Sequence, residues 1–308
     1  MNEKTGICVL GSLNIDQTVR VDVFPRTGQS VTGISYHTFT GGKGGNQAVA
    51  AARLGGKVRM AACVGRDLYG DMYLSALARE GVDAACVARV DGAATGTAVI
   101  EVQSDGENRI VYIPGANGAL DVARVDAAAP AIGAARCLLM QLETPLQGIE
   151  RAAGIARAAG TTVILDPAPA CPVSDRLLAL CDYVTPNETE LSALTGLPAD
   201  TDAEAEAACH RLLARGAGAV LHKRGARGAM LVTAGGTRLY PAFRVTAVDT
   251  TAAGDTFNAG FAVGLCMGQS VDDSIRLANA AAAISTTGLG AQTAMPTLEQ
   301  TRALIAGA

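Results

Sequence analysis

This 308-residue sequence has no excess of positive charge, no apolar run of membrane-spanning length, no CxxC pair and no clustered histidines. With 25 basic against 29 acidic residues, the net charge is −4 and the pI is near 5.4. That balance argues against nucleic acid or an anionic membrane as partner. The Ala-rich segments are broken by Arg, Asp and Gly, so none reads as a transmembrane helix. The opening MNEKTGICVLG lacks the basic start and long apolar core of a secretion signal, and a cytoplasmic location is expected. The eight cysteines (8, 63, 86, 137, 171, 181, 209 and 266) fall mostly inside apolar runs and read as buried free thiols in a reducing compartment. His37, His210 and His222 have no ligand spacing, which sets zinc chemistry aside. No GxGxxG follows the first apolar run, which excludes a dinucleotide oxidoreductase. TGGKGGNQ is not a phosphate-binding Walker sequence, because no Ser or Thr follows its Lys.

Hydrophobic residues make up 49% and charged residues 18%, so a substantial core is expected in one large α/β domain or a large domain plus a small one. Short apolar runs at 7–10, 58–64, 137–141, 162–165, 183–185 and 219–222 read as buried parallel strands. Helical segments fall at about 46–54, 70–79, 146–159, 188–195, 203–215 and 272–286. Two stretches break that rhythm. Residues 18–40 are rich in Val, Thr, Phe and Tyr with Pro25, Gly28 and Gly33 as punctuation, and 97–103 with 108–113 flank an SDGE turn as a hairpin. The expected fold is a doubly wound three-layer α/β/α domain (1–13, 44–94 and 118–308) with a small β-sheet lid (14–43 and 95–117). The Gly-rich turn at 41–45 reads as a loop before a helix that starts at Asn46.

The stretch DTTAAGDTFNAGFAVGL, residues 249–265, organises the rest. Phe243, Val245 and Ala247 alternate with Arg244 and Thr246, the pattern of a strand, while Phe257, Phe261 and Leu265 mark one apolar helix face. Between them lie only small residues, so free backbone N–H groups at the positive end of a helix dipole make an anion site. Asp255 stands in the first turn, where its charge repels a phosphate. It is either a helix cap or a base for a nucleophile that attacks that phosphate. Other polar groups follow expected strands: Asn14 and Asp16, Glu143, Asp166, Asn187 with Glu190, and Lys223. Singly each has a plain structural reading. Glu143 suits a helix cap, Asn187 and Glu190 have capping-box spacing, and Lys223 with Arg224 suits a solvated surface. Gathered at one sheet edge, they point to phosphoryl transfer onto a hydroxyl.

GSLNID, GGKGGNQAVAA, MQLETP, DPAPA, TPNETE, DTTAAGDTFNAG and GAQTAMP together resemble the PfkB carbohydrate kinase family over nearly the whole chain. The resemblance implies ATP-dependent phosphorylation of D-ribose at its 5-hydroxyl, with another pentose, deoxyribose or a nucleoside as the alternative substrate. It implies that Asn14, Asp16, Gly42, Lys43, Asn46 and Glu143 bind the sugar and that Asp255 is the base. The amides of Ala252, Ala253 and Gly254 would form the anion hole. Asn187, Lys223, Arg224, Gly225, Ala226, Arg227, Gly228, Gly254 and Asn279 would meet ATP, and Glu190 would order Mg2+ through water. A monovalent cation, K+, would sit on Asp249, Thr251, Ser285, Gly288, Gly290 and Ala294, and the lid would pair two chains as a homodimer. The chain departs from the family pattern at Gly45, read as a loosening of the sugar loop, and at Lys223, Gly288 and Ala294. A nucleoside would need an aromatic wall, and the lid offers only Tyr36, Phe39 and Tyr112. A sugar sensor without catalysis is the reading from a different class; the intact Asp255 region argues against it.

Overall fold

A computed structural model describes residues 4–308; residues 1–3 of the segment 1–13 lie outside the described residues. In chain order the first half comprises β1 (Ile7–Leu10), β2 (Asn14–Val21), β3 (Gly33–Gly41), α1 (Lys43–Arg53), β4 (Val58–Gly65), α2 (Leu68–Arg79), β5 (Asp83–Val90), β6 (Gly96–Gln103) and β7 (Asn108–Ile113). Then follow α3 (Val122–Ala127), α4 (Ala129–Ala134), β8 (Cys137–Met140), α5 (Leu146–Ala159), β9 (Thr162–Leu165), α6 (Asp175–Leu180), β10 (Tyr183–Val184) and α7 (Glu188–Thr195). The last part holds α8 (Asp202–Ala214), β11 (Val220–Lys223), β12 (Ala229–Thr233), β13 (Gly236–Tyr240), α9 (Ala253–Cys266), α10 (Val271–Ser285) and α11 (Leu298–Ala306).

Nine strands form one sheet in the order β13-β12-β11-β10-β9-β8-β1-β4-β5, in which β12 alone runs against the rest, so that the β11-β12 and β12-β13 pairs are antiparallel and the others parallel. Both faces of its central strands are dry, and strand alternation divides them. Cys8, Leu10, Leu138, Met140, Val163 and Leu165 face α3 to α8, whereas Ile7, Val9, Cys137, Leu139 and Ile164 face α1, α2, α9 and α10. The chain is therefore a doubly wound three-layer α/β/α fold. β1 lies between β4 and β8, so the winding reverses at β1, and the crevice beyond its C-terminal end is where such sheets take ligands. A separate four-stranded sheet, β3-β2-β6-β7, carries the two stretches that broke the βα rhythm.

Four local readings change. Helix α1 starts at Lys43, not Asn46, because Gly42 takes the left-handed φ of 82° that turns the chain into it. The alternation at 243–247 is not a strand: after β13 ends at Tyr240 the chain leaves the sheet, and Asn279 Nδ2 donates to the carbonyls of Tyr240 and Pro241 at 3.4 and 3.3 Å. With no neighbour to pair with, 244–248 is largely exposed. β5 was not foreseen, since DAACVARV is half-buried at the sheet edge and shows no clean period. The short helices α3, α4 and α6 were also missed, each too short to show an amphipathic repeat.

Candidate active site

The crevice beyond β1 collects side chains from seven elements. Ser12 follows β1, Asn14 and Asp16 open β2, and Lys43, Asn46 and Gln47 lie in the first turns of α1. Glu143 follows β8, Asp166 follows β9, Lys223 ends β11, and Asp255 lies in the first turn of α9.

Asp255 is not a cap. The cap position is Ala252, held at a left-handed φ of 61° with no side-chain cap bond. The Asp255 carboxylate is 5% exposed and points into the crevice, where Oδ2 accepts from Asn46 Nδ2 and Oδ1 from Gln47 Nε2, both at 3.1 Å. Burial pushes its pKa up to about 6; Lys43 and the two amides oppose that rise, and the Asp166 charge adds to it. Among the described residues, the N–H groups of Ala252, Gly254 and Asp255 have no protein acceptor, the ordinary condition of a helix start. The expected amide of Ala253 differs: it donates to Thr250 O at 3.2 Å and closes the turn.

On the lid side, Asn117 is fully buried and fixes Asn14, donating from Nδ2 to Asn14 Oδ1 at 2.7 Å while its Oδ1 accepts from Leu13 N at 2.9 Å. Asp16 makes no hydrogen bond to a protein donor among the described residues, and burial with the neighbouring Glu143 charge pushes it up to about 7. Glu143 accepts from Ser12 Oγ and, at 3.1 Å, from Lys43 N. Burial alone would lower the Lys43 ammonium, but Asp255, Asp166, Glu143 and Glu190 outweigh it and raise the group above its ordinary value. Gly45 does not loosen this loop. The Tyr73 hydroxyl fills the space, 1.8 Å from where a Cβ at 45 would stand, and donates to Gly41 O. Gln292, also unforeseen, ties three elements together: Nε2 donates to Asn46 Oδ1 at 3.2 Å and Tyr73 Oη at 3.3 Å, and Oε1 accepts from Thr40 Oγ1 at 2.7 Å. Its distance in sequence from these partners hid it. Each such bond is worth about 1 kcal/mol. Gln292→Leu is therefore expected to speed backbone amide exchange across 40–46 several-fold in hydrogen–deuterium exchange, with the strands of the main sheet unchanged.

On the other side of α9 lies a cavity of about 540 Å3 lined by Lys223, Gly225, Ala226, Gly228, Gly254 and Asn279 together with Phe243, Val245 and Ala283. Six of the nine expected nucleotide contacts therefore share one wall. Asn187, Arg224 and Arg227 do not line it. Asn187 and Glu190 form a closed capping box, with Glu190 Oε2 accepting from Asn187 N at 2.8 Å and Oε1 from its Nδ2 at 2.9 Å. Arg224 pairs with Asp202, and Arg227 with Glu188 and Asp202. Lys223 is not a solvated charge. Its Nζ lies 2.7 Å from Asp166 Oδ1, 4.0 Å from Glu190 Oε2 and 3.4 Å from the Cβ position of Gly254. Burial raises Glu190 above its ordinary value, with Lys223 opposing. A larger hollow of about 690 Å3 adjoins the outer side, around Arg244, Arg276 and the chain end, away from this polar cluster.

The segments 248–251 and 285–294 are tied together. The amides of Val248 and Asp249 share Thr286 O, at 2.7 and 3.1 Å, and Gly290 N donates to Asp249 Oδ2 at 2.9 Å. A Cβ on Gly288 would touch the Ala294 methyl at 3.1 Å, so these two small residues pack closely. Asp249 is the single acid in the two segments. Burial would raise its carboxyl, but bonds from Thr251 and Gly290 hold it below the usual range.

The pfkB family carbohydrate kinase model matches residues 4–298. Ribokinase of Haemophilus influenzae is 45% identical over 295 residues, 96% of each chain. Deoxyribokinase of Salmonella typhimurium is 36% identical over 295 residues, again 96% of each. The structure of Arabidopsis thaliana ribokinase complexed with ribose and ATP superposes with a TM-score of 0.95 at 34% identity, over 98% of this chain and 99% of that one.

Proposed function

Because the chain belongs to the pfkB family of carbohydrate kinases and is an ATP-dependent sugar kinase, we propose that it transfers the γ-phosphoryl group of ATP to O5 of D-ribose. The observation that carries this is the Asp255 carboxylate, turned away from any capping role and held by two amides beside unpaired helix-start N–H groups. Asp255 takes the proton of the 5-hydroxyl as that oxygen attacks phosphorus, and the amides of Ala252 and Gly254 receive the charge on the moving phosphoryl. Lys223 supplies a fixed cation on the nucleotide side. Asn14, Asp16, Lys43, Asn46 and Glu143 hold the sugar, and Asp16, with no protein donor among the described residues, suits a pair of sugar hydroxyls. Gly42 lets the backbone approach. ATP lies in the 540 Å3 cavity against Gly225, Ala226, Gly228 and Asn279, and the small sheet (14–43 and 95–117) covers the sugar.

Glu190 fits the ordering of magnesium-bound water, since its carboxylate is buried and fixed by Asn187. Magnesium would neutralise charge on the phosphates. The paired segments with Asp249, Thr251, Ser285, Gly288, Gly290 and Ala294 fit a monovalent cation. One carboxylate, already hydrogen-bonded, leaves main-chain oxygens as the main donors, and K+ there would steady the amide-bearing turn.

Purified protein with ATP, magnesium and a panel of pentoses and nucleosides, with and without KCl, is expected to release ADP with the highest kcat/KM for ribose. No ADP with any sugar contradicts the reading, and a higher value for deoxyribose would reassign the substrate. Among the described residues, no helix is long and apolar enough to cross a membrane. β7 is an edge strand exposed along its whole length, with Ile110 59% and Val111 62% accessible, and a second lid covers such an edge best. Light scattering is expected to give twice the 31.2 kDa chain mass, and Val111→Lys to shift the protein toward one chain.

A further inference from the structure

Gln47 joins the two halves of the site. It is fully buried in α1, and its Nε2 donates to Asp255 Oδ1 at 3.1 Å and to Asp166 Oδ2 at 3.0 Å. Its Oε1 accepts from Gln141 Nε2 at 2.7 Å. An amide nitrogen has two hydrogens, and both are committed to carboxylates. A flip would turn the oxygen onto two acids and leave Gln141 facing a donor, so the orientation is fixed. The other oxygen of Asp166 receives Lys223 Nζ at 2.7 Å. One unbroken polar chain thus runs from the residue that receives the proton to the cation beside the phosphoryl group.

We propose that Gln47 is a positioning residue for the transfer, whose fixed amide holds Asp255 and Asp166 apart and keeps Asp255 ionised beside a second buried acid. This rests on the assignment of Asp255 as the base. The ionisable groups that face Asp255 are Lys43 from α1, Tyr73 from α2, Asp166 beyond β9 and Lys223 from β11, which stands at Gly254. The contacts of α10 and β8 with α9 lie further along, at Gly260, Gly264 and Ala262. Of these groups Asp166 is the one whose charge disfavours an ionised Asp255 through a shared partner. Removing the Gln47 amide leaves the two acids to repel unshielded, which favours the protonated base.

The test is the pH dependence of kcat/KM for ribose in Gln47→Met, Asp166→Asn and the double variant. The acidic limb of Gln47→Met is expected to move up by about one pH unit, with ribose KM at pH 8 little changed. Asp166→Asn should move it down, and the double variant should return it toward the wild type. An unmoved limb in Gln47→Met, with turnover lowered equally at every pH, would overturn the proposal, as would an unmoved limb in Asp166→Asn if the first variant fails to fold. Asp255→Ala separates the two assignments. If it keeps turnover, the base assignment falls; if it is inactive while the limbs stay put, the Gln47 inference alone falls.

Discussion

Asp255→Ala is expected to lower kcat by about 10²–10⁴ and to leave the ribose dissociation constant, read by calorimetry without ATP, within a few-fold of the wild type. The split follows from geometry. The carboxylate is held by Asn46 and Gln47, and as the proposed base it would receive a proton during transfer, so its loss should show in turnover more than in binding. The same group sets a pH signature. With a carboxyl near 6 in the folded chain, kcat/KM should fall tenfold per pH unit below about 6 and level off above it. Stability runs the other way. A carboxyl raised from 3.8 to about 6 contributes stability that is fully present below the unfolded value and is lost as pH rises through the folded one. The melting temperature of the wild type should therefore fall relative to Asp255→Ala between pH 4 and pH 7, the reverse of what a capping carboxylate does.

Lys223→Met should produce the second large effect, and it should touch both activity and stability. The ammonium is paired with Asp166 at 2.7 Å in a setting where both side chains are largely dry, 11% and 3% exposed. Removing one partner of such a pair leaves an uncompensated charge, a loss of roughly 3–5 kcal/mol. Losing a preorganised cation beside the transferring group should cost about 10²–10³ in kcat. The combined variant Asp166→Asn/Lys223→Met separates the two. It should recover most of the melting temperature and little of the turnover. Recovery of both would mean that Lys223 holds Asp166 and does nothing for the phosphoryl group.

The fold was legible wherever burial imposes a period. The runs at 7–10 and 162–165 match β1 and β9 because both faces of a central strand are dry, and 146–159 matches α5 for the same reason on one helix face. Where burial is partial the pattern fails: β5 shows no period, and 243–247 alternates without a strand because no neighbour extends the sheet past Tyr240. The site divides along another line. Residues just beyond strands (Asn14, Glu143, Asp166, Lys223) could be found because topology puts every such position on one edge. Residues that act through a side-chain amide or hydroxyl held inside the fold were invisible. Gln47 reads as an ordinary helix residue, Gln292 as loop, and Tyr73 as core, and only their contacts with Asp255, Asn46 and Gly41 show what they hold. Lys223 shows the limit most plainly, since a surface lysine and a buried one beside Asp166 are the same letter.

A crystal structure with ribose and a non-hydrolysable ATP analogue decides the matter most directly. Ribose O5 should lie within about 2.6–3.2 Å of an Asp255 oxygen, in line with a γ-phosphoryl group that meets the amides of Ala252 and Gly254. A complex in which Asp255 turns from the sugar, or in which the phosphate sits away from those amides, would contradict the assignment.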